Sequence, residues 1–135
     1  MTSRGICGCS PASSVRDAIL VMAERDCGCV LVTEAGRLVG IFTEGDALKR
    51  VVAGGLDPDR SRLCDVMTRD PDTIGPHESV DEVIRRMDEF GYRHLPVLEA
   101  GRIVGVLSLR DCSIEDLAAM HGELEYRRAF AERAW

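Results

Sequence analysis

Between residues 14 and 43 the apolar positions change period. Val15, Ala18, Ile19 and Met22 recur at spacings of three and four, the stripe of an amphipathic helix. Ser14 stands where an N-cap belongs, with Asp17 three residues on, a capping-box pattern that supplies acceptors to the unpaired N–H groups of a first helical turn. The run Cys29-Val30-Leu31-Val32, a glycine-containing turn and a second apolar run over 38–42 predict a strand, a hairpin and a strand. A second helix is expected over 46–53, stopped at Gly54-Gly55, and a short strand around residues 6–9.

The same punctuation returns 65 positions later. Residues 8–46 align with 73–111 without a gap, and 14 of the 39 aligned positions are identical. The densest run sets Glu34-Ala35-Gly36-Arg37 against Glu99-Ala100-Gly101-Arg102, and the alignment closes on Asp46 and Asp111. Ser79 and Glu82 repeat the N-cap pattern, and Val80, Val83, Ile84, Met87 and Phe90 form the second helical stripe. His94-Leu95-Pro96-Val97-Leu98 and 103–107 repeat the strand pair, with a short strand around Thr73-Ile74 before and a helix from about Asp111 after.

The expected fold class is therefore α/β, two pseudo-symmetric β-α-β-β-α repeats plus a C-terminal helix. The near-continuous apolar strands imply sheets covered on both faces by each repeat's own helices. A unit of about 60 residues is marginal by surface-to-volume scaling, so the copies should pack around a pseudo-two-fold axis and share a core. Residues 6–56 form repeat one, 57–72 a polar linker expected to be ordered, 73–116 repeat two, and 117–135 an amphipathic tail helix interrupted at Gly122.

Composition narrows the function. The 135 residues exclude a large multidomain enzyme, and 45% hydrophobic with 30% charged residues is too apolar for disorder. The net charge of −6 opposes binding to a phosphate backbone, so no nucleic acid is expected. The start Met-Thr-Ser-Arg-Gly-Ile-Cys has no apolar signal core, and no apolar run approaches the roughly 18 residues of a membrane span. A cytoplasmic protein without membrane contact is the expectation.

In that compartment the six cysteines read as reduced, buried structural thiols. An alternative gathers Cys7, Cys9, Cys27 and Cys29 from the two Cys-Gly-Cys phrases into a tetrathiolate site for Zn or an iron–sulfur cluster. The Cys-x-Cys spacing argues against it, since structural Zn sites favour two or more intervening residues.

The segments 36–46, Tyr92-Arg93-His94-Leu95-Pro96-Val97 and 101–111, with the linker phrase Asp65-Val66-Met67-Thr68, resemble a tandem pair of cystathionine-β-synthase (CBS) domains, a Bateman module. The match covers roughly 6–116, and the tail is similar to the terminal helix of small stand-alone bacterial CBS-pair proteins. The resemblance implies a regulatory module binding an adenosine-containing ligand, AMP, ADP, ATP, NAD(H) or S-adenosylmethionine, in a cleft between repeats. In its Gly-x-x-Thr/Ser-x-x-Asp motif the Asp takes ribose hydroxyls and the Thr/Ser reaches ribose or phosphate. Here that motif is Gly40, Thr43 and Asp46 in copy one and Gly105, Ser108 and Asp111 in copy two.

By the same resemblance Arg93 and His94 match paired basic residues that contact phosphates, and Thr73-Ile74 match first-strand positions that meet adenine. Copy one has Gly28-Cys29 and Gly8-Cys9 in those places, so unequal sites are expected, the better phosphate site being built mainly by copy two. The motif residues have a second reading, because Thr43-x-x-Asp46 and Ser108-x-x-Asp111 are also capping boxes and capping alone explains both. Arg93 also reads as a solvated or carboxylate-paired surface charge, and His94 as a structural hydrogen-bonding group.

No nucleophile elbow, zinc-protease helix, P-loop or Rossmann glycine fingerprint is present, and His77, His94 and His121 are scattered, so no catalytic residue is nominated. The expected function is adenine-nucleotide sensing, energy sensing in the broad sense, by a cytoplasmic homodimer that requires no cofactor and signals to an unknown protein partner. Competing with it are a ligand-free dimerisation or interaction module and a thiol or metal sensor built on the Cys-x-Cys pairs.

Overall fold

A computed structural model describes residues 6–108. The helix expected from Asp111 and the tail helix over 117–135 lie outside the described residues. The elements are β1 (Gly8–Cys9), α1 (Val15–Arg25), β2 (Cys29–Glu34), β3 (Arg37–Thr43), α2 (Glu44–Asp46), a π-helical turn (Ala47–Val52), α3 (Leu63–Val66), β4 (Thr68–Arg69), α4 (Val80–Phe90), β5 (His94–Glu99) and β6 (Arg102–Ser108). Adding 65 to the bounds of α1, β2 and β3 gives those of α4, β5 and β6, so the repeat step holds in three dimensions.

Local chemistry explains why. Ser14 Oγ accepts from the Asp17 N–H and Ser79 Oγ from the Glu82 N–H, at 3.1 and 3.2 Å, satisfying one orphan donor at each helix start. Each helix ends on a left-handed residue, Asp26 (φ 52°) or Gly91 (φ 78°), whose N–H donates back to Met22 O or Met87 O. Both hairpins turn on Ala-Gly with positive φ at each position: Ala35 52° and Gly36 78°, Ala100 50° and Gly101 79°. Two such residues make a type I′ turn, whose twist suits a two-residue connection. Even the bulges correspond, between Val32 and Thr33 and between Val97 and Leu98.

Sheet order is β1-β2-β3-β4, with β1 parallel to β2 and the other pairs antiparallel. In the second repeat β5 and β6 pair antiparallel, and the expected strand around Thr73-Ile74 narrows to one parallel bridge, Ile74 with Val97. That bridge is the counterpart of Cys9 with Val32. The linker is ordered, as Val15 N–H donates to Ser61 O, Leu63 N–H to Ser13 O and Cys64 N–H to Pro11 O, each within 3.0 Å. Its end supplies α3 and the edge strand β4.

Three apolar clusters hold this together. Val15, Ala18 and Met22 from α1 meet Val30, Val32, Phe42, Val51, Leu63 and Val66 in the first core; Val83 and Met87 from α4 meet Ile74, Leu95, Val97 and Leu107 in the second. The third lies between repeats: Cys29, Leu31 and Ile41 pack with Leu38, Ile103 and Val106. Alternate residues of β2 thus face a helix core or the other repeat, the period-two division of a strand buried on both sides.

Two expectations need correction here. The second face of the first sheet is met by the neighbouring repeat: α1 and the π-helical turn both pack into the first core, while Ile103 and Val106 pack on Cys29, Leu31 and Ile41 from the other side. Phe90, counted on the buried stripe of α4, is 57% exposed and stacks its ring 5.7 Å from that of Tyr92. It sits at the last position of α4, where the chain turns away through the left-handed Gly91.

Candidate functional site

The motif of the first repeat sits at the corner where β3 turns into α2. Thr43 Oγ1 accepts from the Asp46 N–H at 3.1 Å, and Asp46 Oδ2 accepts from the Thr43 N–H at 3.0 Å, a complete capping box. The other carboxylate oxygen, Oδ1, lies 3.6 Å from Arg50 Nε, and Arg50 Nη1 donates to Val66 O at 2.8 Å. Both half-buried motif residues are therefore engaged within their own repeat. The following helix widens to a π turn, with Ala53 N–H donating to Leu48 O and Leu56 N–H to Val51 O.

In the second repeat β5 and β6 set His94 opposite Ser108 in register, as β2 and β3 set Cys29 opposite Thr43. Ser108 is buried, His94 half-buried and Arg93 exposed. Ile74 is 2% exposed and exchanges hydrogen bonds with β5, its N–H donating to Pro96 O and its C=O accepting from Leu98 N–H. The structure thus gathers Ile74, His94 and Ser108 around β5, with Thr73 and Arg93 adjoining; Asp111 lies outside the described residues.

Two residues that sequence reasoning passed over hold this segment. Glu78 Oε2 accepts from the Gly75 N–H at 2.6 Å, and Glu78 Oε1 takes Arg86 Nη1 at 2.9 Å. Arg86 Nη2 reaches Thr73 O at 3.4 Å, so one ion pair fastens residues 73–75 to α4. Their counterparts are Ser13 and Val21, where only the turn bond survives: Ser13 Oγ accepts from Ser10 N–H at 3.2 Å.

The repeats meet at Gly28. A Cβ built on this buried glycine would stand 2.6 Å from His94 Nε2 and 3.0 Å from Glu44 Oε1, closer than real contacts allow. With glycine here the imidazole of one repeat borders the backbone of the other, whereas a Cβ would require the His94 and Glu44 side-chain ends to shift. The Gly28 carbonyl in turn accepts from the Glu44 N–H at 3.0 Å. Gly28 and Glu44 were legible only as a glycine between cysteines and an acid beside Thr43; the contact that unites them with His94 arises from packing between repeats.

The cysteines behave differently from expectation. Cys7 and Cys27 are joined in a disulfide, which overturns the reading of all the cysteines as reduced thiols. The reason is topological: β1 runs parallel beside β2, which brings the residue before β1 next to the turn before β2. With two sulfurs so bonded, the four thiolates of the metal alternative are not available together. Among the described residues no group of three or more His, Cys, Asp or Glu side chains is placed to hold a metal. Burial, then the Asp17 charge, pushes the Cys9 thiol up from its ordinary value.

The CBS domain profile matches this chain twice, over residues 3–53 and 63–115. The chain belongs to the CBS-domain family. A CBS domain-containing protein of Arabidopsis thaliana, CBSCBSPB2, is 34% identical over 128 residues, 91% of this chain and 24% of that protein. The chain thus spans about a quarter of the length of the first curated relatives it matches. A protein with CBS domains from Burkholderia ambifaria superposes with a TM-score of 0.77 at 35% identity, covering 81% of this chain and 80% of that one. The CBS domain protein PAE2072 of Pyrobaculum aerophilum, solved in complex with AMP, gives a TM-score of 0.74 at 26% identity over 98% of this chain and 94% of that one. CBS pairs are regulatory modules that commonly bind adenosine ligands. Among the described residues no helix is long and apolar enough to cross a membrane.

Proposed function

We propose that this CBS pair senses an adenosine-containing nucleotide bound where the strand ends of the two repeats meet, with no catalytic step of its own. The observation that carries the reading is the side-chain-free Gly28 of one repeat facing the His94 imidazole of the other, with the exposed Arg93 one residue before it in the chain. A solved relative of near-complete coverage holding AMP supports the same ligand class. In this reading Arg93 and His94 take phosphate, Thr73 and Ile74 border the adenine, and Ser108 with Asp111 takes the ribose. Charge-assisted hydrogen bonds from guanidinium and imidazolium suit a phosphate, and a carboxylate accepts from two vicinal hydroxyls.

Thr43 and Asp46 are assigned to the ribose of a second, weaker site. Their closed capping box and the Arg50 ion pair oppose that role, because a ligand there must share acceptors already in use. Binding then shifts the relative packing of the repeats, and a homodimer in the cytoplasm passes the change to a protein partner through differential affinity for two arrangements.

Thermal unfolding with AMP, ATP, NADH and S-adenosylmethionine tests the reading. A ligand at a hundred times its dissociation constant stabilises the folded state by about 2.7 kcal/mol. Arg93→Ala and Asp111→Ala should reduce that shift, and Thr43→Ala should leave most of it. Absence of a shift with all four ligands would overturn the proposal in favour of a ligand-free interaction module.

A further inference from the structure

The disulfide is placed one residue from the junction between repeats. Cys27 follows the left-handed Asp26 that ends α1, and its N–H donates to Met22 O at 3.0 Å. Gly28 comes next, its carbonyl held by the Glu44 N–H and its α-carbon against His94. A covalent tether on Cys27 therefore restrains the backbone that forms the wall under the imidazole. A Cβ at Gly28 would stand 2.6 Å from His94 Nε2, so this backbone borders the imidazole directly and a displacement of Gly28 alters what His94 meets.

We propose that Cys7 and Cys27 form a thiol–disulfide exchange site, with low-molecular-weight thiols and disulfides as its co-reactants, whose state sets how firmly Gly28 is held against His94. The consequence for nucleotide affinity rests on the function proposed above; the coupling to the junction does not.

The chemistry runs through the accessible sulfur. Cys7 is 3% exposed and Cys27 half-buried, so an incoming thiolate RS⁻ attacks Cys27 Sγ. The protein S–S bond breaks, and Cys7 leaves as a thiolate that takes a proton. A second RS⁻ attacks the R sulfur of the mixed disulfide and displaces Cys27, which is protonated in turn. The sum is one protein disulfide plus two RSH giving two protein thiols plus RSSR, two electrons and two protons passing to the protein. Oxidation is the reverse with RSSR as oxidant. A buried leaving group makes the exchange slow, which suits a state that persists.

The second repeat lacks the chemistry. Since 7 + 65 = 72 and 27 + 65 = 92, the counterparts of the bonded cysteines are Asp72 and Tyr92, which share a hydrogen bond there. The same two places are fastened in both repeats, covalently in one and by a redox-indifferent contact in the other.

The test uses the intact chain equilibrated with glutathione disulfide or with dithiothreitol. Peptide mapping should find the Cys7–Cys27 bond only in the oxidised sample. Amide exchange at Glu44, whose N–H donates to Gly28 O, should run roughly tenfold faster after reduction. Cys27→Ser should exchange like the reduced protein in both buffers, with far-UV circular dichroism confirming that it folds; should it not fold, the wild-type comparison stands alone. Failure to map the bond after oxidation, or equal Glu44 exchange in the two states, would overturn the proposal. If Glu44 responds while AMP shifts the unfolding temperature in neither state, the redox coupling is supported and the nucleotide reading fails. If AMP binds, a smaller shift in the reduced protein supports both.

Discussion

The two repeats share a backbone plan and differ in what fastens it. Repeat one carries four strands, borrows α3 and β4 from the linker and closes β1 against the α1–β2 turn with a disulfide. Repeat two, within the described residues, pairs two strands, holds Ile74 by one bridge and uses polar fasteners: Glu78 with Arg86, Asp72 with Tyr92. The glycine that opens each motif shows the same contrast. Gly40 is capped by the Met67 side chain, whereas no described atom lies within 4 Å of a Cβ built at Gly105. Apolar spacing set a common frame, and replacements at equivalent positions brace one copy with a disulfide and a packed methionine and the other with polar contacts.

The strongest way to test that division is to open the braced side. Phe42 is fully buried in the first core, so Phe42→Ala should cost about 3–5 kcal/mol, read as a lowered urea midpoint with an unchanged slope. Because Cys29, Leu31 and Ile41 join the repeats, the loss should unfold both together in one transition. Two transitions would mean that repeat two stands by itself.

Removing the polar brace of repeat two should cost less and act locally. Arg86→Ala leaves Glu78 and the Thr73 carbonyl without the guanidinium, at about 1 kcal/mol for a partly exposed pair. Amide exchange at Ile74 and Leu98 should quicken while that at Leu31, whose N–H donates to Cys7 O in the first repeat, stays unchanged. An equal response at Leu31 would show that the brace serves the whole molecule.

The hairpins should respond alike. Ala35 and Ala100 adopt a left-handed conformation that costs an L-residue with a Cβ roughly 1 kcal/mol, and a type I′ turn prefers Asn there. Ala35→Asn and Ala100→Asn should each raise stability by about 0.5 kcal/mol. Unequal gains in thermal unfolding would mean that the 65-residue step does not carry through to energetics.

Most of this frame was legible from residue patterns, since capping serines, glycine-containing turns and short apolar runs are local signals. What escaped depended on contacts distant in sequence. Phe90 fits the helical stripe, but at the last position of α4 it is exposed and its ring meets that of Tyr92. The linker phrase gave no sign that Thr68 and Arg69 would pair with β3, because a two-residue edge strand has no period to read. The Cys7–Cys27 bond follows from parallel pairing of β1 with β2, and spacing between cysteines does not encode that. Thr43 and Asp46 were ambiguous for a deeper reason: a hydroxyl and a carboxylate three apart serve a helix start and a ribose equally well. Coordinates show the first use at that corner.

The smallest effect concerns the polar fastener that stands where repeat one has its disulfide. The hydrogen bond from the Tyr92 hydroxyl to Asp72, helped by partial desolvation and the Asp72 charge, raises the Tyr92 phenol above its ordinary value near 10. A group whose folded value is raised stabilises the fold below its unfolded value, and that contribution disappears as pH climbs through the folded one. The Tyr92 contact should therefore hold at neutral pH and fade only in strongly alkaline solution. In a Tyr126→Phe background the phenolate absorbance reports Tyr92 alone, and Asp72→Asn should move its titration to lower pH. An unmoved titration would mean that Asp72 does not hold the phenol in solution, and the correspondence between the two fasteners would then be one of position without energy.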